Sequence, residues 1–249
     1  MLGYKKYLPS SQHTPYQLYD ALTLKASAKS ADAVVVSSKL EYEDAVEFGI
    51  QKTKLHVIPM GIDVDEYVDN PINPNGDAIN ILFVGRIARV RRIEILLQAV
   101  AKLSIPFHVT LVGGEEKTSS LSRSGYLDEL KKLCKDLNIN NRVTFVGPVA
   151  QNELFNWYSK GDIFVYPSLY ENFGQPILEA AAAGLPIVSA PVGVAQEIIT
   201  DNETGFLFNG DDQELANRIT QLTDQNLRKK IGGAVRERVR SLYGWEGII

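Results

Sequence analysis

The sequence predicts an α/β fold, a Rossmann-like doubly wound parallel sheet filling the larger, C-terminal part of the 249 residues. Two observations predict it. From residue 79 onward, short runs rich in Val, Ile and Phe alternate with amphipathic segments. The runs are apolar throughout rather than at every second position, as expected of strands covered on both faces. Strand, helix and strand repeated in this way require parallel pairing with right-handed crossovers.

Before residue 79 the pattern differs. "TPYQLYDALTLKASAKSA" reads as a helix, "DAVVVSS" as a strand, "KLEYEDAVEFGI" as a second helix and "KLHVIPMGID" as a short strand with a turn. These units are too few for a complete sheet layer. Residues 67–78, with "NPINPNG", form a hinge or linker, since Pro and Asn-Gly punctuate the chain. The predicted strands then follow at 79–85, 107–114, 142–147, 162–168, 185–191 and 205–209. Helices are expected at "RIEILLQAVAKL", "SGYLDELKKLCKDL", "QNELFNWYSK", "QPILEAAAAG", "VAQEIITD" and, as one long unit, the segment beginning "DDQELANRI". The chain therefore divides into 1–66, the end of one domain; 67–78; 79–235, a whole domain; and 236–249, the start of another helix.

Composition narrows the function classes. A formal charge of -4 argues against nucleic acid as partner, which would favour a basic excess. The single cysteine, Cys134, cannot form an internal disulfide and fits a reducing compartment. It sits on the apolar side of a helical pattern, where a small core residue is expected. The longest apolar stretch, 180–195, is broken by Gly and Pro, so no membrane span is expected. His13, His56 and His108 have no ligand spacing, and no metal site is predicted. "DVD" at 63–65 reads as an acidic surface turn.

Ligands of an open parallel sheet bind at the carboxyl ends of the strands. In "VGRIARVRR" (84–92), Gly85 lets backbone approach a ligand, and Arg86, Arg89, Arg91 and Arg92 gather at a helix start. Cations are misplaced at a helix N-terminus, so an anion such as pyrophosphate is expected there. In "ENFGQPILE" (171–179), Asn172, Phe173 and Gly174 bring backbone N–H groups to a helix start marked by Pro176. Glu179 could accept hydrogen bonds from both hydroxyls of a ribose, and Glu171 could reach a sugar hydroxyl beyond the phosphates. Ala180 to Ala183 and Gly184 suit close packing of this helix on the sheet. A third loop, through Val146, Gly147 and Val149, could wall a nucleobase. A fourth, "LVGGEEK", reads as a turn rather than a site.

At these residues the chain resembles the retaining GT-B glycosyltransferases of family 4. "ENFGQPILE" matches the family's E-x7-E motif, "AAAAGLPIVSAPVGVAQEIITDNETGFLF" its following stretch, and "VIPMGID" its P-x-G-x-D hinge. The resemblance implies that Arg86 and Arg91 contact the donor diphosphate, Glu171 lies near the transferred sugar and Glu179 holds the ribose. Arg91 stands where the family usually has lysine. Arg92 stands where glycine usually follows, adding bulk near the phosphates. The resemblance further implies a nucleotide-diphosphate sugar as donor substrate (a UDP- or GDP-sugar), no cofactor and no metal. It makes 1–66 a remnant of the acceptor-side domain, 79–235 the nucleotide-sugar-binding domain and 236–249 the start of a truncated crossover helix.

Two readings stand side by side. One is the donor-binding part of a retaining hexosyltransferase acting on a glycan or lipid-linked acceptor. The other is a catalytically silent nucleotide-sugar-binding module that needs a partner chain, or a second copy, for the acceptor domain. A sugar-nucleotide epimerase fits "YENFGQPILE" less well. The implied location is the cytoplasm, with any peripheral membrane association at the inner face arising through the acceptor-side domain.

Overall fold

The computed structural model describes residues 23–67, 78–115 and 125–248. The first half of the first predicted helix and nearly all of the linker therefore lie outside the described residues. The N-terminal unit comprises α1 (Lys25–Ser30), β1 (Val34–Val36), α2 (Lys39–Phe48) and β2 (Leu55–Val57). β1 and β2 pair in parallel, Val34 opposite Leu55. Ser38 caps α2 by accepting the Glu41 N–H, and Gly49 closes it in the left-handed region at φ 97°. Its core is small: Val36, Ala45, Ile50 and Leu55.

The second unit is the expected α/β domain. Its elements are β3 (Ile79–Val84), α3 (Ile93–Ala101), β4 (Phe107–Val112), α4 (Tyr126–Asp136), β5 (Val143–Gly147), α5 (Leu154–Tyr158), β6 (Ile163–Tyr166), α6 (Gln175–Ala182), β7 (Ile187–Ser189), α7 (Ala195–Ile198), β8 (Phe206–Leu207), α8 (Asp212–Gln221), α9 (Gln225–Tyr243) and α10 (Trp245–Ile248). The strand order is β5-β4-β3-β6-β7-β8, every pairing parallel. Helices α3, α4 and α8 pack together, as do α6, α7 and α9. Right-handed crossovers running opposite ways from β3 put these groups on opposite faces. Residues of the central strands are accordingly buried on both sides, with Ile81, Phe83, Ile163, Phe164, Val165 and Tyr166 essentially inaccessible.

The small-residue run after Glu179 behaves as expected: Ala180, Ala181 and Ala182 are fully buried. The long C-terminal helix does not form as one unit. Asp224 accepts hydrogen bonds from the N–H groups of Asn226 and Leu227, restarting the chain as α9. α9 then runs unbroken through position 236 and buries Ile231, Val235, Val239 and Tyr243 on one stripe. Its end returns to the N-terminal unit, where Ile62 N–H donates to the Tyr243 carbonyl at 2.9 Å. Asp63 caps a short turn and Asp65 pairs with Arg240 at 2.8 Å. The "DVD" turn is therefore committed to structure. Among the described residues no helix is long and apolar enough to cross a membrane.

Candidate active site

In this strand order, β3 leads outward to β4 and β5, while β6 returns to its other side and leads to β7 and β8. The direction of winding reverses between β3 and β6. A crevice outside the carboxyl ends of these two strands is the place such sheets bind ligands. A cleft of about 310 Å³ opens there. Its walls include Gly85 and Arg86 after β3, Gly113 and Gly114 after β4, and Gln175, Pro176 and Glu179 at the start of α6.

The four arginines of the first loop do not gather. Arg86 is exposed and lines the cleft. Arg89 turns to α4, bonding Glu129 at 2.5 Å and packing over the Tyr126 ring. Arg92 donates to the Gly210 carbonyl at 2.7 Å, so its bulk is directed to that contact. It adopts the left-handed conformation, φ 51° and ψ 42°, which costs a non-glycine residue about 1–2 kcal/mol. The conformation explains physically why glycine suits this place.

Arg91 turns inward. Its side chain is only 8% exposed and meets Glu171 Oε2 at 2.6 Å. The same nitrogen donates to Ser168 Oγ at 3.1 Å and lies 3.3 Å from the Tyr170 carbonyl. The guanidinium also lies over the Tyr166 ring, 5.4 Å from its centroid. Tyr166 O–H donates to Glu171 Oε2 at 2.9 Å, and burial keeps that hydroxyl protonated. The structure thus brings Arg91 and Glu171 together as a partner pair, where sequence reasoning set Arg91 beside Arg86.

Glu179, 3% exposed, points into the cleft from the first turns of α6. Tyr158 O–H donates to its Oε2 at 2.7 Å, and Gln151 Nε2 to its Oε1 at 3.2 Å. Burial pushes the Glu179 carboxyl above the ordinary range, while these two donors pull it back. Tyr158 is itself fully buried, which raises its hydroxyl well above the usual value and leaves it a donor. Two acceptor atoms nearby, Gln175 Oε1 and Asn172 Oδ1, are buried without a hydrogen-bond partner. Such atoms are costly unless a ligand supplies donors.

The turn between the carboxylates divides its labour. Gly174 is the N-cap of α6 in the left-handed region at φ 96°, with Pro176 in the first turn. Phe173 is 3% exposed, packs edge-on against Tyr243 and accepts the Val194 N–H at 2.6 Å through its carbonyl. Its side chain belongs to the core and not to the cleft. Of the third loop, Val149 lines the cleft. Val146 instead packs against the core, and the Gly147 carbonyl accepts the Gly113 N–H at 2.9 Å. The fourth loop was read as a mere turn, yet its Gly113 and Gly114 form cleft wall. Gly113 approaches β3 so closely that a Cβ would lie 1.9 Å from the Gly85 carbonyl oxygen. The adjacent glycines were the signal for it. Tyr158 and Gln151 carried no signal in their spacing.

Cys134 is 2% exposed, and burial pushes its thiol up to about 11, as suits a core residue. Among the described residues no group of three or more His, Cys, Asp or Glu could hold a metal ion.

Comparison with known proteins agrees with this geometry. Residues 65–238 match the family described as Glycosyl transferases group 1, and residues 3–66 match Glycosyltransferase Family 4. The D-inositol 3-phosphate glycosyltransferase of Mycolicibacterium smegmatis is 31% identical over 205 residues, covering 78% of this chain and 46% of that protein. An uncharacterized glycosyltransferase of Methanocaldococcus jannaschii is 30% identical over 242 residues, 92% of this chain and 60% of that one. The chain spans about half the length of the curated relatives it matches. Sucrose-phosphate synthase from Thermosynechococcus elongatus superimposes with a TM-score of 0.84 at 31% identity, over 100% of this chain and 63% of that chain. Anabaena HepE, solved with UDP and glucose, shares the fold at a TM-score of 0.84 and 23% identity, over 93% of this chain and 64% of its own. The chain therefore belongs to the glycosyl transferases group 1 family, and its six-stranded unit is the Rossmann-like second half of a GT-B fold.

Proposed function

We propose that this chain is the donor-binding part of a retaining hexosyltransferase, which takes a sugar from a nucleotide-diphosphate sugar and passes it to a glycan or lipid-linked acceptor. The observation that carries the reading is the cleft at the β3–β6 crevice, with Arg86 on one wall and Glu179 on the other. In this reading Arg86, backed by the N-terminus of α6, offsets the charge of the leaving diphosphate without metal or cofactor. Glu179 accepts from the ribose hydroxyls, displacing the amide of Gln151. Glu171 accepts from a hydroxyl of the transferred sugar, and Arg91 holds that carboxylate in place through their 2.6 Å ion pair. UDP-sugars are the first donors to test because HepE was solved with UDP and glucose; GDP-sugars are the next. The cytoplasm is the proposed compartment, with any contact to the membrane's inner face made through an acceptor-side domain.

A second reading, a binding module silent without a partner, has one observation in its favour. Among the described residues, those lining the cleft all come from 84–179 and none from the N-terminal unit. Calorimetry with UDP, UDP-glucose, GDP and GDP-mannose tests the shared core of both readings. Arg86→Ala should weaken the bound nucleotide about tenfold to a hundredfold, since a charge-assisted hydrogen bond contributes about 1.5–3 kcal/mol. Unchanged affinity would remove the diphosphate from this loop.

A further inference from the structure

Asp44 is a buried carboxylate, 8% exposed, for which the proposed chemistry has no use. It lies on α2 of the N-terminal unit, and its Oδ2 accepts the Tyr170 O–H at 2.8 Å across 126 positions of sequence. Two residues further along the same loop, the Asn172 carbonyl accepts the Ser38 hydroxyl at 2.5 Å. Ser38 is the N-cap of α2, so both contacts come from one rigid element. Glu171 sits between the two anchored residues.

The other side of the loop is held by the α/β domain. Ser168 Oγ donates to the Tyr170 carbonyl at 2.8 Å, and Arg91 reaches both that carbonyl and Glu171. Tyr170 is thus held from both units at once. Its side chain is tied to α2, its carbonyl to Arg91, and its next residue is the carboxylate itself. α2 is also held by α7, where Glu197 Oε1 accepts the Lys39 N–H at 2.9 Å, whereas the ion pair of Asp65 with Arg240 at 2.8 Å joins the units without touching α2 or this loop.

We propose that Asp44 is a positioning residue for the sugar-facing carboxylate: acting through Tyr170, and together with Ser38 on Asn172, it fixes Glu171 from the N-terminal unit. This rests on the reading of Glu171 as the sugar contact. A shift of α2 would then carry Glu171 with it, linking the placement of the first unit to recognition of the donor's sugar. Ribose and diphosphate contacts, made by Glu179 and Arg86, would not follow.

The test uses Tyr170→Phe, Asp44→Ala and the double variant Asp44→Leu/Tyr170→Phe, in which both polar partners are removed together so that neither is left buried alone. Asp65→Ala serves as the control, because it breaks the ion pair to Arg240 and loosens the units away from α2 and the loop. Calorimetry on whichever of the UDP/UDP-glucose and GDP/GDP-mannose pairs the wild type binds should show unchanged nucleotide affinity in all variants. The advantage of the sugar-bearing ligand over the bare nucleotide should fall about tenfold in the three Asp44–Tyr170 variants, and not in Asp65→Ala. Hydrogen exchange of amides 168–174, measured without ligand, should accelerate in the same three variants only. Equal losses for nucleotide and nucleotide sugar, unchanged exchange, or the same changes in Asp65→Ala would overturn the proposal. A wild type that binds no nucleotide defeats the functional reading instead, and the exchange arm still decides whether Asp44 holds the loop.

Discussion

At the scale of single residues, the two carboxylates of the E-x7-E stretch are built for different work. Glu171 shares one oxygen between a guanidinium and a phenol, which fixes its orientation. Among the described residues Glu179 has only neutral donors, Tyr158 and Gln151, and burial raises its carboxyl. A raised pKa means that the fold binds the proton more tightly than the unfolded chain does. Glu179 therefore costs stability above its folded pKa, and the cost fades as pH falls through that value toward the ordinary glutamate range. Glu179→Gln should raise the melting temperature of the unliganded protein at pH 7, with the gain shrinking toward pH 4. The same variant should weaken nucleotide binding by about tenfold or more, because charge-assisted acceptance is lost. A melting temperature that falls at pH 7 would show that burial does not govern this carboxyl. The E-x7-E spacing made both acids legible. The direction of Arg91 was not, since the short helical turn over Arg89–Arg91 sends neighbouring side chains to unrelated partners. Only position 92, where glycine is usual in the resembled family, hinted at a left-handed residue.

At the scale of elements, strand identity was easy to read and helix limits were not. Central strands are covered on both faces, so their composition alone announces them. The pause between α8 and α9 depends on one capping side chain, Asp224, inside a segment whose amphipathic pattern continues across it. α9 also depends on a close approach invisible in the sequence. A Cβ on Gly232 would lie 2.0 Å from the Gly184 carbonyl oxygen, at the turn that ends the buried alanine run of α6. The small residues after Glu179 thus have counterparts on α9, and together they let the helix carrying Glu179 sit close to its neighbour. Gly232→Ala should force the helices apart and cost about 1–3 kcal/mol, as overpacked cores do. That corresponds to a melting temperature lower by roughly 2–12 °C for a chain of this size. Gly233→Ala, where an added Cβ meets nothing within 4 Å, should leave stability equal or higher. Equal effects at the two positions would refute the packing argument.

At the scale of the whole molecule, the two units differ in what they contribute. Among the described residues, the α/β domain supplies all of the cleft lining. The N-terminal unit supplies contacts to the Glu171 loop, and in its two-stranded sheet Val35 is 60% and Val57 48% exposed. The strand order itself was not readable. That the cleft lies at the carboxyl ends of the strands follows from parallel topology, which the alternation of strands and helices made legible. The coupling between units was not, because it joins residues more than a hundred positions apart through a tyrosine and an aspartate without any motif. This division leads to a prediction about chemistry. Sugar transfer needs an acceptor held over the anomeric carbon and water kept away from it. Among the described residues, hydrogen bonds from the N-terminal unit to the loop around Glu171 come from α2 and its cap, which hold the loop and supply no enclosed acceptor site. The 249-residue chain should therefore bind nucleotide sugar and release free sugar slowly, with no transfer to an added glycan or lipid acceptor above that hydrolysis. Chromatography of reactions with radiolabelled donor would separate the two products. Efficient transfer by the purified monomer would mean that α2 and its neighbours already complete an acceptor site, and would count against the silent-module reading. Hydrolysis that survives Glu171→Gln unchanged would mean that this carboxylate does not face the reacting sugar.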